Sequence, residues 1–185
     1  MIPNTLPLPT SLTPPDEYTE FLSIPSNSLY NHHLAYLISL KQSPSPPSTP
    51  LSVSHLAHND TLLLAHLYLV TLNSYKNHSS SFHITFYDFI SVLQFDSQLL
   101  LDLLLEQPDK FLKTILTYLK VAVYLRDEKT VDYVSVFRDM SVLEVVSDVL
   151  EEFREMLERS TSLISFQIMP LVKRINEFLA CTEIE

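Results

Sequence analysis

The histidines are the side chains of this sequence whose type and spacing come closest to a metal site. All seven lie at or before His83, and His55, His58 and His66 fall within one segment of helical character. His55 and His58 are neighbours on a helix, but His66 would lie about 16 Å beyond His55 at a rise of about 1.5 Å per residue. Zinc holds its ligands at about 2 Å, so His66 cannot complete their site. Histidines that pack between helices or face solvent are the favoured interpretation.

Nucleophilic catalysis has little support either. Cys181, the single cysteine, lies close to the end of the sequence, where we expect an exposed thiol rather than an activated nucleophile. The sequence contains no glycine, and the phosphate-binding loop, the dinucleotide-binding turn and the nucleophile elbow all depend on glycine. No spacing groups serine, histidine and aspartate into a triad. We predict a protein that has no catalytic residues, binds no cofactor and no metal, and is not an enzyme.

The net charge is strongly negative, at −10 for pH 7. Such a charge repels phosphate backbones, and the basic residues are scattered, so nucleic acid is not the expected partner. The apolar runs 62–70 and 99–105 are too short to cross a bilayer, and the first residues do not read as a signal peptide. We therefore expect a protein of the cytoplasm, the nucleus or both, without a membrane partner.

One acidic helix face is the best candidate for binding a partner protein. The predicted interaction face consists of Glu144, Glu151, Glu152 and Glu155, and Glu158 continues it. Glu155 and Arg159 have the spacing of an ion pair one helical turn apart. Two interpretations stay open: a solvated helix surface, which is the commoner role of a charged face, and a docking surface for a basic peptide.

Proline content divides the chain into an early part and a core. Ten of the twelve prolines fall within the first fifty residues. We expect residues 1–15 to be disordered, residues 16–42 to hold a short helix, and residues 43–50 (SPSPPSTP) to form an extended linker. The helical core is predicted for residues 51–181.

Apolar residues recur at helical spacing through the core, so we predict an all-α fold. The first expected segments are a helix from His55 to Asn73, a polar loop to Ser81, and a helix from near Phe82 to about Gln94. A short helix capped by Asp96 and a helix opened by Pro108 follow. The last two are a helix capped by Ser141 that ends near Arg159, and a helix that Pro170 opens or kinks. Residues 131–137 fit a helix or a strand, with helix preferred.

The clearest amphipathic pattern follows Pro108, where Phe111, Ile115, Leu119 and Val123 repeat at four-residue spacing. Such a stripe predicts a helix that packs against neighbours along one side. The expected architecture is an irregular antiparallel helical bundle or a short armadillo- or HEAT-like stack, and no internal repeat decides between them.

The stretch from Asp88 to Val121 carries a further signal in the order and spacing of particular residue types. These are Phe95, Asp96, Leu100, Leu101, Asp102, Phe111, Leu112, Tyr118, Leu119 and Lys120. In this arrangement they resemble the signature of the carboxy-terminal region of the Lines family. A fainter similarity continues over residues 88–180, through SVLEVVSDVLEEF and LVKRINEFL.

The resemblance implies that the chain works through protein contacts. Lines family members are similar to armadillo-like helical proteins, are linked to Wnt-dependent developmental patterning, and move between nucleus and cytoplasm. The family has no known catalytic residues to carry over. The resemblance thus implies a non-enzymatic regulatory adaptor in developmental signalling or transcription. The alternative is a helical scaffold subunit of an unrelated intracellular complex.

Overall fold

The computed structural model describes residues 56, 59–77, 81–127, 140–160, 164 and 167–182. Within those ranges the chain forms six α-helices and no strand, which confirms the predicted all-α class. The helices are α1 (Asp60–Asn77), α2 (Ser81–Val92), α3 (Ser97–Glu106), α4 (Pro108–Asp127), α5 (Met140–Arg159) and α6 (Met169–Thr182). The predictions for residues 1–15, 16–42, 43–50 and 131–137 lie outside the described part of the chain.

Capping side chains and prolines set most of the helix starts. Asn59 precedes α1, and its Oδ1 accepts a hydrogen bond from a backbone N–H of the first turn at 3.1 Å. The Oδ1 of Asp96 does the same for α3 at 2.8 Å, so the predicted N-cap is confirmed. Pro108 and Pro170 lie in the first turns of α4 and α6, where a missing N–H removes no helical hydrogen bond. Of the two predicted roles of Pro170, opening the helix is the observed one.

Three predicted boundaries are wrong. Helix α1 begins at Asp60, directly after the capping Asn59, and not at His55. Helix α1 does not end at Asn73 but continues to Asn77, because Ser74 is buried and the ring of Tyr75 packs against that of Tyr124 at 5.2 Å. Packing thus overrides the low helix propensity of this polar stretch. Helix α5 begins at Met140, so Ser141 lies inside its first turn instead of capping it.

Helix α4 is central in the described fold, because it packs against α1, α3 and α6. The predicted stripe is confirmed at Phe111, Ile115 and Leu119, which are fully buried, whereas Val123 is half-buried. Tyr118, one residue beside the stripe, is buried as well. A helix enclosed on several sides buries more than one row of side chains, so the buried surface is wider than the sequence pattern indicates.

Helices α1 and α4 run in the same direction. Near their starts, Lys110 Nζ donates to Thr61 Oγ1 at 3.2 Å, and near their ends the rings of Tyr75 and Tyr124 are in contact. This parallel pair departs from the antiparallel neighbours expected of a simple bundle.

An aromatic cluster joins three helices around Tyr118 of α4. The ring of Phe86 in α2 stacks on it with centroids 3.8 Å apart, and Phe82 approaches it edge-on at 5.6 Å. Phe178 of α6 contacts it from another side at 6.1 Å. Buried rings carry much apolar area, so this cluster fixes the position of α6 against the body of the fold.

Helix α5 completes the arrangement, since it packs against α3 and α6 and makes smaller contacts with α2. Its buried side consists of Leu143, Val146, Val149, Leu150, Phe153 and Leu157. This apolar side must face the core, so the polar side of α5 points outward from Glu144 to Glu158.

Candidate functional site

The outward side of α5 carries a row of carboxylates, which we call the acidic stripe. It consists of Glu144, Asp148, Glu151, Glu155 and Glu158. Their spacings of three and four residues bring them to one face of the helix. All are exposed except Glu155, which is half-buried. The stripe thus belongs to the polar side of the same helix whose apolar side is buried in the core.

Part of this stripe forms one wall of an open groove between α5 and α6, of about 570 Å³. We call it the docking groove. It is lined by Leu143, Glu144, Ser147, Asp148, Glu151 and Arg154 from α5, and by Asn176, Leu179, Ala180 and Thr182 from α6. Three carboxylates and one guanidinium thus lie beside a floor that contains leucine and alanine side chains.

A chain of hydrogen bonds fixes one side of the docking groove. Ser147 Oγ donates to Thr182 Oγ1 at 3.2 Å, and Thr182 Oγ1 donates to the backbone carbonyl of Leu179 at 2.9 Å. These contacts hold the last turn of α6 against the middle of α5. The two walls are therefore fixed relative to each other by side chains that belong to the groove itself.

Charge in the docking groove is poorly balanced. Arg154 is the one basic side chain among its lining residues, and it lies 3.5 Å from Glu151. Glu144 and Asp148 are one turn apart, and like charges at this spacing destabilise a helix by roughly 0.2–0.5 kcal/mol per pair. The free groove keeps this repulsion, and a positively charged ligand would relieve it.

The structure divides the predicted interaction face. Glu144 and Glu151 line the docking groove. Glu152 faces away from it, because its Oε2 accepts a hydrogen bond from the buried Ser97 Oγ of α3 at 2.9 Å. Glu155 forms the expected ion pair with Arg159 at 2.6 Å.

Asp148 is the groove carboxylate absent from the predicted face. Its spacing of four residues from Glu144 and three from Glu151 was the signal that could have found it. The α6 wall gave no comparable signal, because Asn176, Leu179 and Ala180 acquire a role only through the packing of α6 on α5.

The residues that resemble the Lines signature have mainly structural positions. Buried ones are Leu100, Leu101, Phe111, Tyr118 and Leu119; half-buried ones are Leu112 and Lys120; exposed ones are Phe95, Asp96 and Asp102. Asp96 caps α3, and the ring of Phe95 packs on that of Tyr87 at 5.5 Å. None of these residues is among those that line the docking groove.

Two described histidines, His66 and His83, are buried in the core, as expected of helix-packing side chains. His83 Nδ1 lies 3.0 Å from Tyr118 Oη, within hydrogen-bond distance. Burial lowers the pKa of His83 to about 3, because the charged ring would lose its hydration. His83 is thus a neutral part of the aromatic cluster. His55 and His58 lie outside the described residues.

Outside the docking groove, the described titratable side chains include Cys181 and Asp88. No three of the described His, Cys, Asp and Glu residues are placed to hold a metal ion. Cys181 is half-buried in the last turn of α6, so the expectation of an exposed thiol in a frayed end is wrong. Burial raises the pKa of Asp88 on α2.

Among the described residues, no helix has the length and apolar character needed to cross a bilayer. Comparison of the chain with protein-family models, with curated proteins and with solved structures gave no match.

Proposed function

We propose that this chain is a non-enzymatic protein-interaction module and that its docking groove binds a basic segment of a partner protein. The observation that carries the proposal is the juxtaposition of Glu144, Asp148 and Glu151 with the apolar side chains of Leu143 and Leu179 in one groove. Apolar contact supplies a driving force for association, while complementary charge steers the approach and selects the partner.

The charge of the whole chain favours a protein over other partners. With 22 acidic and 12 basic side chains, the molecule repels nucleic acids and anionic lipid surfaces. The negative charge also disfavours self-association, since the groove of one copy would have to bind an equally acidic surface of another. A basic protein segment is the occupant that this charge attracts.

In the cell, we propose that the module acts as a regulatory adaptor in Wnt-type developmental signalling or transcription, in the cytoplasm, the nucleus or both. This role rests on the resemblance to the Lines family. The second candidate is a scaffold subunit of an unrelated complex. Exposed apolar side chains on three helices favour it, since Ile84, Leu105 and Met169 provide apolar surface outside the docking groove.

Proximity labelling in cells with a matched pair of variants tests the proposal. The groove variant is Glu144→Gln with Asp148→Asn. The control is Asp102→Asn with Glu106→Gln, which removes one aspartate and one glutamate, also four residues apart, from the exposed side of α3. Proteins with basic segments should be labelled by the wild type and the control, and about tenfold less by the groove variant.

Equal labelling by all three proteins would contradict the docking role of the groove. Circular dichroism should confirm that both variants remain helical. The identity of the labelled proteins separates the two cellular roles. Signalling or transcription proteins would support the adaptor, and the constant subunits of one other complex would support the scaffold.

A further inference from the structure

Resting on the proposed function, we propose that the segment bound in the docking groove is a basic amphipathic helix of about three turns, rather than an extended basic peptide. The proposal depends on three features of the groove: the nature of its walls, its length and the one-sided placement of its charges.

Both walls of the docking groove are helices. Apart from the groups at the helix ends, the backbone N–H and C=O groups of α5 and α6 are used inside those helices. The groove therefore has no strand edge to which an extended peptide could add. An extended peptide would place unpaired backbone groups over Leu143 and Leu179, which is costly. A helix satisfies its own backbone and presents only side chains to this floor.

The length of the docking groove also fits a helix. On α5 it runs from Leu143 to Arg154, which is about 16 Å at about 1.5 Å per residue, or about three turns. Small side chains on both walls, Ser147 and Ala180, leave room for a helix to approach at the usual interaxial distance of about 8–10 Å.

The charges lie on one wall only. Glu144, Asp148 and Glu151 follow α5, while α6 contributes Asn176, Leu179, Ala180 and Thr182, none of which is charged. A helix lying along the groove therefore needs basic side chains on the side that faces α5, at spacings i, i+4 and i+7 that match the three carboxylates. Its adjacent side needs small apolar residues.

Fluorescence anisotropy with three labelled peptides and the full chain tests the inference. The first peptide has about 14 residues of Ala, Leu and Lys, with lysines at i, i+4 and i+7 beside an apolar row. The second has the same composition with the lysines consecutive. The third is the first with a central proline, which breaks a helix. At about 50 mM NaCl, the first should bind about tenfold more tightly than the others.

The groove variant and the control on α3 make the possible failures distinguishable. Equal affinity of all three peptides for the wild type, weakened in the groove variant, would overturn the helical occupant and keep the basic one. No binding, or binding that the groove variant does not weaken, would overturn the proposed function and this inference together. A dimer of the chain that disappears in the groove variant would assign the groove to a second copy and overturn both.

Discussion

At the scale of single residues, the buried polar side chains are the most informative. His83 contacts Tyr118 and lies among aromatic rings, with a pKa of about 3. A histidine of this kind is neutral at every physiological pH and serves to satisfy a buried hydroxyl. The Ser97 hydroxyl has a similar role, because it joins α3 to Glu152 and to the backbone carbonyl of Val149 on α5.

The lowered pKa of His83 predicts a loss of stability in acid. The unfolded chain takes up a proton near pH 6.5, whereas the folded one resists protonation down to about pH 3. The free energy of unfolding is therefore unaffected by His83 above pH 6.5. It falls as the pH drops from 6.5 toward 3, by up to about 1.4 kcal/mol per pH unit. Urea unfolding between pH 7 and pH 4.5 measures the slope.

Direct titration is the control for this prediction. The ring carbon-bound protons of His83 should show no NMR titration between pH 8 and pH 4.5 while the protein is folded. A ring midpoint close to 6.5 would show that His83 is hydrated, and the acid instability would then need another cause. In the variant His83→Gln, the free energy of unfolding should depend less on pH.

At the scale of helices, the sequence predicted elements best where a local residue decides the boundary. Asp96 and Pro108 marked the starts of α3 and α4 correctly, because capping and the proline ring act within one turn. The end of α1 was missed, because the last turns are held by the burial of Ser74 and by the ring contact of Tyr75 with Tyr124 of α4, far along the sequence. Tertiary packing is not visible in local periodicity.

The end of α2 illustrates the cost of a sequence without glycine. Gln94 and Phe95 both adopt the left-handed conformation, with φ of 57° and 56°. The N–H of Phe95 donates to the carbonyl of Ile90, and the N–H of Gln94 to that of Ser91, both at 2.9 Å. These are the two hydrogen bonds of a Schellman motif, in which the position of Gln94 usually belongs to glycine.

We therefore predict that Gln94→Gly stabilises the protein. The left-handed conformation costs a residue with a Cβ about 1–2 kcal/mol, and the greater freedom of glycine in the unfolded chain offsets part of the gain. The free energy of unfolding should rise by about 0.5–1 kcal/mol, measured by urea unfolding. Gln98→Gly, inside α3, should lower it instead. Equal losses in both variants would show that residue 94 is not left-handed.

At the scale of the whole molecule, the candidate site has a predictable half and an unpredictable half. The acidic face followed from the spacing of Glu144 and Glu151 alone. The docking groove did not, because it exists only where α6 packs beside α5, and because Ser97 of α3 holds Glu152 away from it. A groove forms where two elements distant in the sequence pack together, so the residue pattern of one helix cannot predict it.

Replacing Asp148 measures how much the clustered carboxylates of the docking groove destabilise the protein when no partner is bound. Asp148 lies one turn from Glu144, Glu151 and Glu152, in a chain of net charge −10. We predict that Asp148→Asn raises the free energy of unfolding by about 0.5 kcal/mol in low salt, by removing like-charge repulsion. The gain should largely vanish at about 0.3 M NaCl, where screening is strong.

Asp102→Asn on α3 is the matched control, because the carboxylate of Asp102 accepts a hydrogen bond from Gln98 Nε2 at 3.0 Å and is expected to give no such gain. Measured together, the two variants connect stability with binding. If Asp148→Asn is more stable but binds the lysine-spaced helix less tightly, the carboxylate is kept at a cost to folding because the partner needs it. If Asp148→Asn is instead less stable than the wild type in low salt, repulsion along the acidic stripe does not destabilise the free protein. The argument that a basic ligand relieves this repulsion is then wrong.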